Sequence, residues 1–182
     1  RIFSGAGADT IIGSQLADEV WGGAGADRIE GRGGGDVLRG GAGSDLFIYR
    51  ALSDSTAAAR DRIMDFAAGD LIDLSALDAN SIAGGMQQFQ LISSGAAFTA
   101  AGQLRITQTG AIALVEGDSN GDGIADFAIE VTLTGGHTLT RTDFLGLAPA
   151  AERLKLDDAP VLPLLRESLH ELHALPTLDL LI

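Results

Sequence analysis

The chain has 182 residues, with 25 acidic side chains against 12 basic and a formal charge of -13, which argues against nucleic acid or an anionic membrane as the main partner. Cysteine is absent, so a disulfide framework, a thiolate nucleophile and a zinc-thiolate site are all excluded, and bound cations become the natural cross-link for life outside a cell. An apolar content of 46% and a mean hydropathy of +0.22 supply a core, enough for one domain or a small domain with an appendage. No run reaches the roughly 18 consecutive apolar residues of a membrane span, no signal peptide opens the chain, and a start at Arg1 is expected of a fragment.

Glycine is concentrated at the amino end. Of the 25 glycines, 13 fall within the first 48 residues, and they recur with a period of nine. The repeats are SGAGADTII (4–12), GSQLADEVW (13–21), GGAGADRIE (22–30), GRGGGDVLR (31–39) and GGAGSDLFI (40–48). Asp9, Asp18, Asp27, Asp36 and Asp45 take the sixth position, and Ile11, Val20, Ile29, Leu38 and Phe47 the eighth. A flexible glycine-rich linker would have no reason to keep both in register five times. The second repeat is the weakest, with Ser14 and Leu16 where the others favour glycine.

The pattern resembles the calcium-binding nonapeptide of RTX, or haemolysin-type, proteins. Six glycine-rich residues turn sharply through φ > 0 and can aim carbonyls at a common centre, leaving three residues for a strand. Alternate repeats then fall on opposite sheets, Ile11, Ile29 and Phe47 on one and Val20 and Leu38 on the other, which makes a parallel β-roll with an 18-residue coil. One inward apolar residue contributes about 1.5–3 kcal/mol per repeat, against about 1–2 kcal/mol of backbone entropy per residue. The turns therefore need calcium, a hard cation that takes 6–8 oxygens. The resemblance implies an ion between the turns of repeats i and i+2, pairing Asp9 with Asp27, Asp18 with Asp36 and Asp27 with Asp45. Gly5, Gly7, Gly23, Gly25, Gly41 and Gly43 would add main-chain oxygens, for about three complete sites.

After Tyr49 the repeat stops and period-2 patterning predicts strands at 45–49, 62–66, 71–74, 89–92, 104–107, 112–116 and 126–133, with a short piece around Leu139. This reads as an all-β cap on the open end of the roll. DLFIYRALSDS, DRIMDFAAGDLIDLSALDA, FTAAGQLRI, VEGDSNGDGIADFAIEV and LTRTDF follow one another at a spacing that resembles the carboxy-terminal domain of serralysin-type (peptidase M10) metalloproteases over 4–144. That resemblance implies a non-catalytic calcium roll with capping strands, carried by proteins that leave the cell through a type I secretion apparatus, proteases and others alike. The domains are then 1–49, the RTX roll; 50–146, the β cap; and 147–182, a linker, an amphipathic helix and a carboxy-terminal secretion signal.

Asp118, Asn120, Asp122 and Asp126, with Gly123 at loop position 6, reproduce the first part of an EF-hand loop, but Ile129 stands where the bidentate Glu belongs. An Asx-rich hairpin turn favours the same residues. Asp61, Asp65, Asp70 and Asp73 read as a solvated acidic rim rather than as ligands. Past Leu147, Pro163 opens an amphipathic helix through Leu165, Leu169 and Leu172. It either packs on the roll or cap or faces the exporter, a membrane or a partner. The terminal Leu178-Asp179-Leu180-Leu181-Ile182 is similar to the uncleaved signal of serralysin-like proteins. His170-Glu171-Leu172-His173 lacks the i, i+4 spacing of a zinc-protease helix, and His137 has no nucleophile nearby in sequence.

The expectation is a calcium-binding, non-catalytic module at the carboxy end of a secreted, extracellular protein, with an amino-terminal passenger outside this chain. The competing readings are the end of a zinc metalloprotease or polysaccharide-modifying enzyme, settled by HExxHxxGxxH upstream, and a calcium-dependent surface or matrix protein, settled by calcium-dependent assembly.

Overall fold

In a computed structural model of the chain, residues 1–150 are described. β1 (Ile2–Ala6) begins ahead of the first nonapeptide, and the five nonapeptides then contribute one strand each: β2 (Thr10–Ile12), β3 (Glu19–Ala24), β4 (Arg28–Glu30), β5 (Val37–Ala42) and β6 (Leu46–Ile48). Successive strands alternate between two sheets. In one, Ile2 lies beside Val20 and Val20 beside Leu38; in the other, Ile11 lies beside Ile29 and Ile29 beside Phe47. All pairings are parallel and all five eighth-position side chains are buried. The division of these residues between the two sheets is the one that the nine-residue spacing predicts.

The roll does not end at Tyr49. A segment containing the 3-10 turn Leu52–Asp54 leads to β7 (Asp61–Phe66) and β8 (Leu71–Asp73), which continue the two parallel ladders, Leu38 beside Ile63 and Phe47 beside Ile72. The remaining strands are β9 (Gln90–Leu91), β10 (Gln103–Thr109), β11 (Ile112–Asp118), β12 (Phe127–Leu133) and β13 (Phe144–Leu145). Strands β10, β11 and β12 form an antiparallel meander, and β12 joins the roll by pairing in parallel with β7. The result is one sheet in the order β1-β3-β5-β7-β12-β11-β10-β9 and a second, wholly parallel sheet in the order β13-β8-β6-β4-β2.

The core follows the same path. Ile29 and Phe47 in the roll, Phe66 at the junction, and Phe89, Leu104, Phe127 and Ile129 in the cap are all fully buried members of one cluster. Tyr49 meets Phe127 edge-on, ring centroids 5.3 Å apart, which ties the last regular repeat to the cap. On the outer face Phe3 stacks on Trp21 at 4.3 Å, and the Arg39 guanidinium lies 5.0 Å from the Trp21 ring. That ladder crosses three neighbouring strands.

The expected strand around Leu139 is corrected. Leu139 is buried but lies in the approach to a second 3-10 turn, Arg141–Asp143. The Asp143 carboxylate accepts the Thr140 N–H at 2.6 Å, so the backbone turns there and pairs only afterwards, as β13. The helix from Pro163, the terminal signal, His170 and His173 lie outside the described residues.

Candidate metal centre

Each repeat aspartate bridges two coils. The Asp9 N–H donates to Asp27 Oδ1 at 2.8 Å, Asp18 N–H to Asp36 Oδ1 at 2.8 Å and Asp27 N–H to Asp45 Oδ1 at 2.9 Å. The reverse bond starts one residue later. The N–H groups of Arg28, Val37 and Leu46 donate to the carbonyls of Asp9, Asp18 and Asp27. The three aspartate pairs expected from the sequence are therefore neighbours across one coil.

The series has two further members. Asp36 N–H donates to Asp61 Oδ1 at 2.8 Å and Asp45 N–H to Asp70 Oδ1 at 2.9 Å. The solvated-rim reading of these two is corrected, because Asp61 is 0% exposed and Asp70 2%. Sequence reasoning missed them because the step from Asp36 to Asp61 is 25 residues, seven more than a coil. A signal was present: Asp61 and Asp70 stand nine apart, and each has an isoleucine, Ile63 or Ile72, two residues on, as in the repeats. Asp65 is half-buried and accepts the N–H groups of Gly40 and Gly41, so it braces a turn.

The second carboxylate oxygen carries the chemistry. Oδ2 of Asp9, Asp27, Asp36, Asp45 and Asp61 is buried with no hydrogen-bond partner. Five such oxygens, those of Asp9, Asp27 and Asp45 in one stacked series and of Asp36 and Asp61 in the other, are costly unless a cation meets them. Asp18 and Asp70 are exceptions. Ser14 donates both its N–H and its hydroxyl to Asp18 Oδ2, each at 2.8 Å, and Ala67 N–H occupies Asp70 Oδ2. The departure from glycine in the second repeat thus supplies protein donors to its own carboxylate.

Carbonyls share this space. A Cβ on Gly22 would overlap Asp27 Oδ2 and stand 2.6 Å from the Gly40 carbonyl oxygen. Gly23 and Gly25, at φ +113° and +135°, stack on the carbonyl oxygens of Gly5 and Gly7; Gly41 and Gly43, at φ +98° and +138°, stack on those of Gly23 and Gly25. In each case the carbonyl oxygen of one turn stands where a Cβ of the next coil's glycine would be, a close approach that a side chain would prevent. Among the described residues no three acidic or histidine side chains converge on one point. A cation here would be held by carboxylates together with main-chain oxygens, the donor set that suits calcium rather than zinc.

Burial sets the electrostatics. It pushes the Asp61 carboxyl up to about 8 and Asp36 up to about 6, with neighbouring aspartates adding to the rise. Asp45 and Asp65 are raised for the same first reason. The Ser14 bonds hold Asp18 below the ordinary range.

The loop from Asp118 to Asp126 is closed by its own donors. Asp118 Oδ1 accepts Asn120 and Gly121 N–H, and Oδ2 accepts Gly123 N–H. Asp126 accepts the Ser119 N–H and hydroxyl and the Asn120 amide. Asn120 and Asp122 each cap the N–H two residues on. This is the Asx-turn arrangement, with neither Asp118 nor Asp126 left an unpaired oxygen. His137 Nε2 lies 3.1 Å from Asp143 Oδ1, and the other Asp143 oxygen accepts Thr140.

A roll of stacked glycine turns bearing inward carboxylates, closed by a β cap, defines a class, and the chain belongs to it: residues 1–146 match the peptidase M10 serralysin C-terminal family. A curated relative is Metalloprotease AprA of Pseudomonas entomophila (strain L48), 65% identical over 81 residues, which are 44% of this chain and 17% of that protein. The chain thus matches only a small part of that relative's length. Among solved structures, the AlgE6R3 subunit of the Azotobacter vinelandii mannuronan C5-epimerase aligns at 23% identity and TM-score 0.31, covering 81% of this chain and 82% of that one. The AlgE6R2 subunit of the same enzyme aligns at 23% identity and TM-score 0.39, covering 80% of this chain and 94% of that one.

Proposed function

We propose that this chain is a non-catalytic, calcium-binding carboxy-terminal module of a secreted protein, exported by a type I system and folded by calcium outside the cell. The observation that carries the reading is the set of five buried Oδ2 atoms without a hydrogen-bond partner, of which Asp27 Oδ2 shares the space over Gly22 with the Gly40 carbonyl. Asp9, Asp27, Asp36, Asp45 and Asp61, with main-chain oxygens of the glycine turns, would hold the ions. The ion supplies the positive charge that lets buried carboxylates stack one coil apart. Without it their mutual repulsion and desolvation oppose the fold. In a cytosol poor in calcium the roll stays open and easily threaded. At extracellular calcium, where such modules bind in about the 10⁻⁴ to 10⁻³ M range, it closes.

The family match and the identity to AprA support a second proposal about the whole protein, that it is a secreted metalloprotease whose catalytic domain precedes this module. Isothermal titration of calcium into the decalcified chain tests the first reading. Saturable binding of several ions that magnesium does not reproduce is expected, and no calcium-specific heat would overturn it.

A further inference from the structure

The chain has two asparagines, Asn80 before Ser81 and Asn120 before Gly121. An asparagine followed by glycine is chemically fragile, because no side chain hinders the next backbone nitrogen from reaching the amide carbon. The fold treats this pair in a specific way. Gly121 N–H donates to Asp118 Oδ1 at 2.7 Å, Asn120 Nδ2 donates to Asp126 Oδ1 at 3.1 Å, and Asn120 Oδ1 accepts Asp122 N–H at 2.8 Å. Asp118 is 0% exposed and is fixed from its other oxygen by Gly123 N–H.

We propose that Asn120 is a deamidation site held off by the closed loop and released when the loop opens, so that it records the time a chain spends unfolded. In the reaction the Gly121 nitrogen loses its proton to solvent base and bonds to Asn120 Cγ. The Cγ–Nδ2 bond breaks, and Nδ2 takes up a proton and leaves as ammonia. Water then opens the cyclic imide at either carbonyl, giving aspartate or isoaspartate, with no change in oxidation state. The closed loop blocks the first step twice: the attacking nitrogen keeps its proton against the Asp118 carboxylate, and the leaving amide is fastened at both ends.

The product does not restore the loop. A carboxylate at position 120 would present an oxygen to Asp126 Oδ1 where the amide now donates, beside Asp118 and Asp122 as well. Like charges at hydrogen-bond distance repel. An isoaspartate would also lengthen the backbone inside a turn whose hydrogen bonds span two or three residues.

The full chain is incubated at mildly alkaline pH in two arms, one in calcium with native circular dichroism and one in urea, and Asn120 is followed by peptide mass spectrometry with isoaspartate detection. Deamidation at least about tenfold slower in the native arm is expected, as for any group protected by local closure. Asp118→Ala should speed the native reaction, with Asn80 serving as the reference. Should that variant lose its native circular dichroism, Asp126→Ala, which frees only the amide and the Ser119 contacts, takes its place with the same expectation. Equal rates in the two arms, or a native rate indifferent to whichever folded variant is used, would overturn the proposal.

Discussion

At Asp27 a single carboxylate serves two coils. Its Oδ1 accepts the Asp9 N–H, its own N–H reaches Asp45, and its Oδ2 is one of the five left buried without a donor. Asp27→Ala should therefore raise the calcium midpoint of folding by at least about tenfold, since loss of a charged partner costs about 1.5–3 kcal/mol and 1.4 kcal/mol is a factor of ten. Asp18→Ala, whose Oδ2 is already satisfied by Ser14, should shift it less; a calcium titration followed by circular dichroism compares the two, and equal shifts would contradict the assignment. On the proposed function, protons can partly stand in for the ion. In the calcium-free chain Asp36 and Asp61 have carboxyls raised by burial to about 6 and about 8, above the value of about 3.9 in an unfolded chain. The folded state then binds the extra protons, so its stabilisation is fully present below about pH 4 and is lost as the pH rises through about 6 and then 8. Strand signal in calcium-depleted buffer should accordingly grow as the pH falls from 8 toward 5. A rise with pH instead would mean that these carboxylates are satisfied without metal. The five repeat aspartates were legible in the sequence through their register, whereas Asp61 and Asp70 were not, because an insertion resets the count between coils.

Each glycine turn is an element whose shape its neighbour dictates. Gly41 has φ +98°, and a Cβ there would land on the Gly23 carbonyl oxygen. Gly41→Ala should cost at least about 2 kcal/mol through backbone strain and overlap, whereas Gly84→Ala, with open space around it, should stay within about 0.5 kcal/mol. Thermal melts of the two variants in saturating calcium separate them. The inserted segment has a fastening of its own: buried Ser55 donates to the Ala128 carbonyl and accepts the Asp61 N–H, linking β7 to β12. Ser55→Ala should cost about 1–3 kcal/mol for the unpaired groups it leaves and lower the melt as one transition. Two separate transitions would show that roll and cap are independent. Periodicity located most strands to within one or two residues, because alternation and the apolar eighth position are strong local signals. It could not find the parallel pairing of β7 with β12 or of β8 with β13, since partners 68 and 72 residues apart, such as Ile63 with Val131 and Ile72 with Phe144, leave no trace in a local pattern. The strand expected at Leu139 failed for a related reason, as the turn that displaces it is built by a side chain, Asp143, rather than by glycine or proline.

Across residues 1–146 the roll and the cap share one eight-stranded sheet and one core. The first coils hold a single buried apolar residue per repeat and orphaned carboxylates between them. A net charge of -13 then works against closure until cations arrive. On the proposed function, the molecule is gated by its own charge, and the gate is the set of orphaned carboxylates between coils. Far-UV circular dichroism and thermal melting of the chain through a calcium titration, with magnesium and a chelator as controls, test this most directly. Strand signal and a cooperative melt are expected to appear with calcium at high micromolar to millimolar concentration and not with magnesium. A chain that is fully folded in chelator at neutral pH, with a melt that calcium leaves unmoved, would contradict that gating.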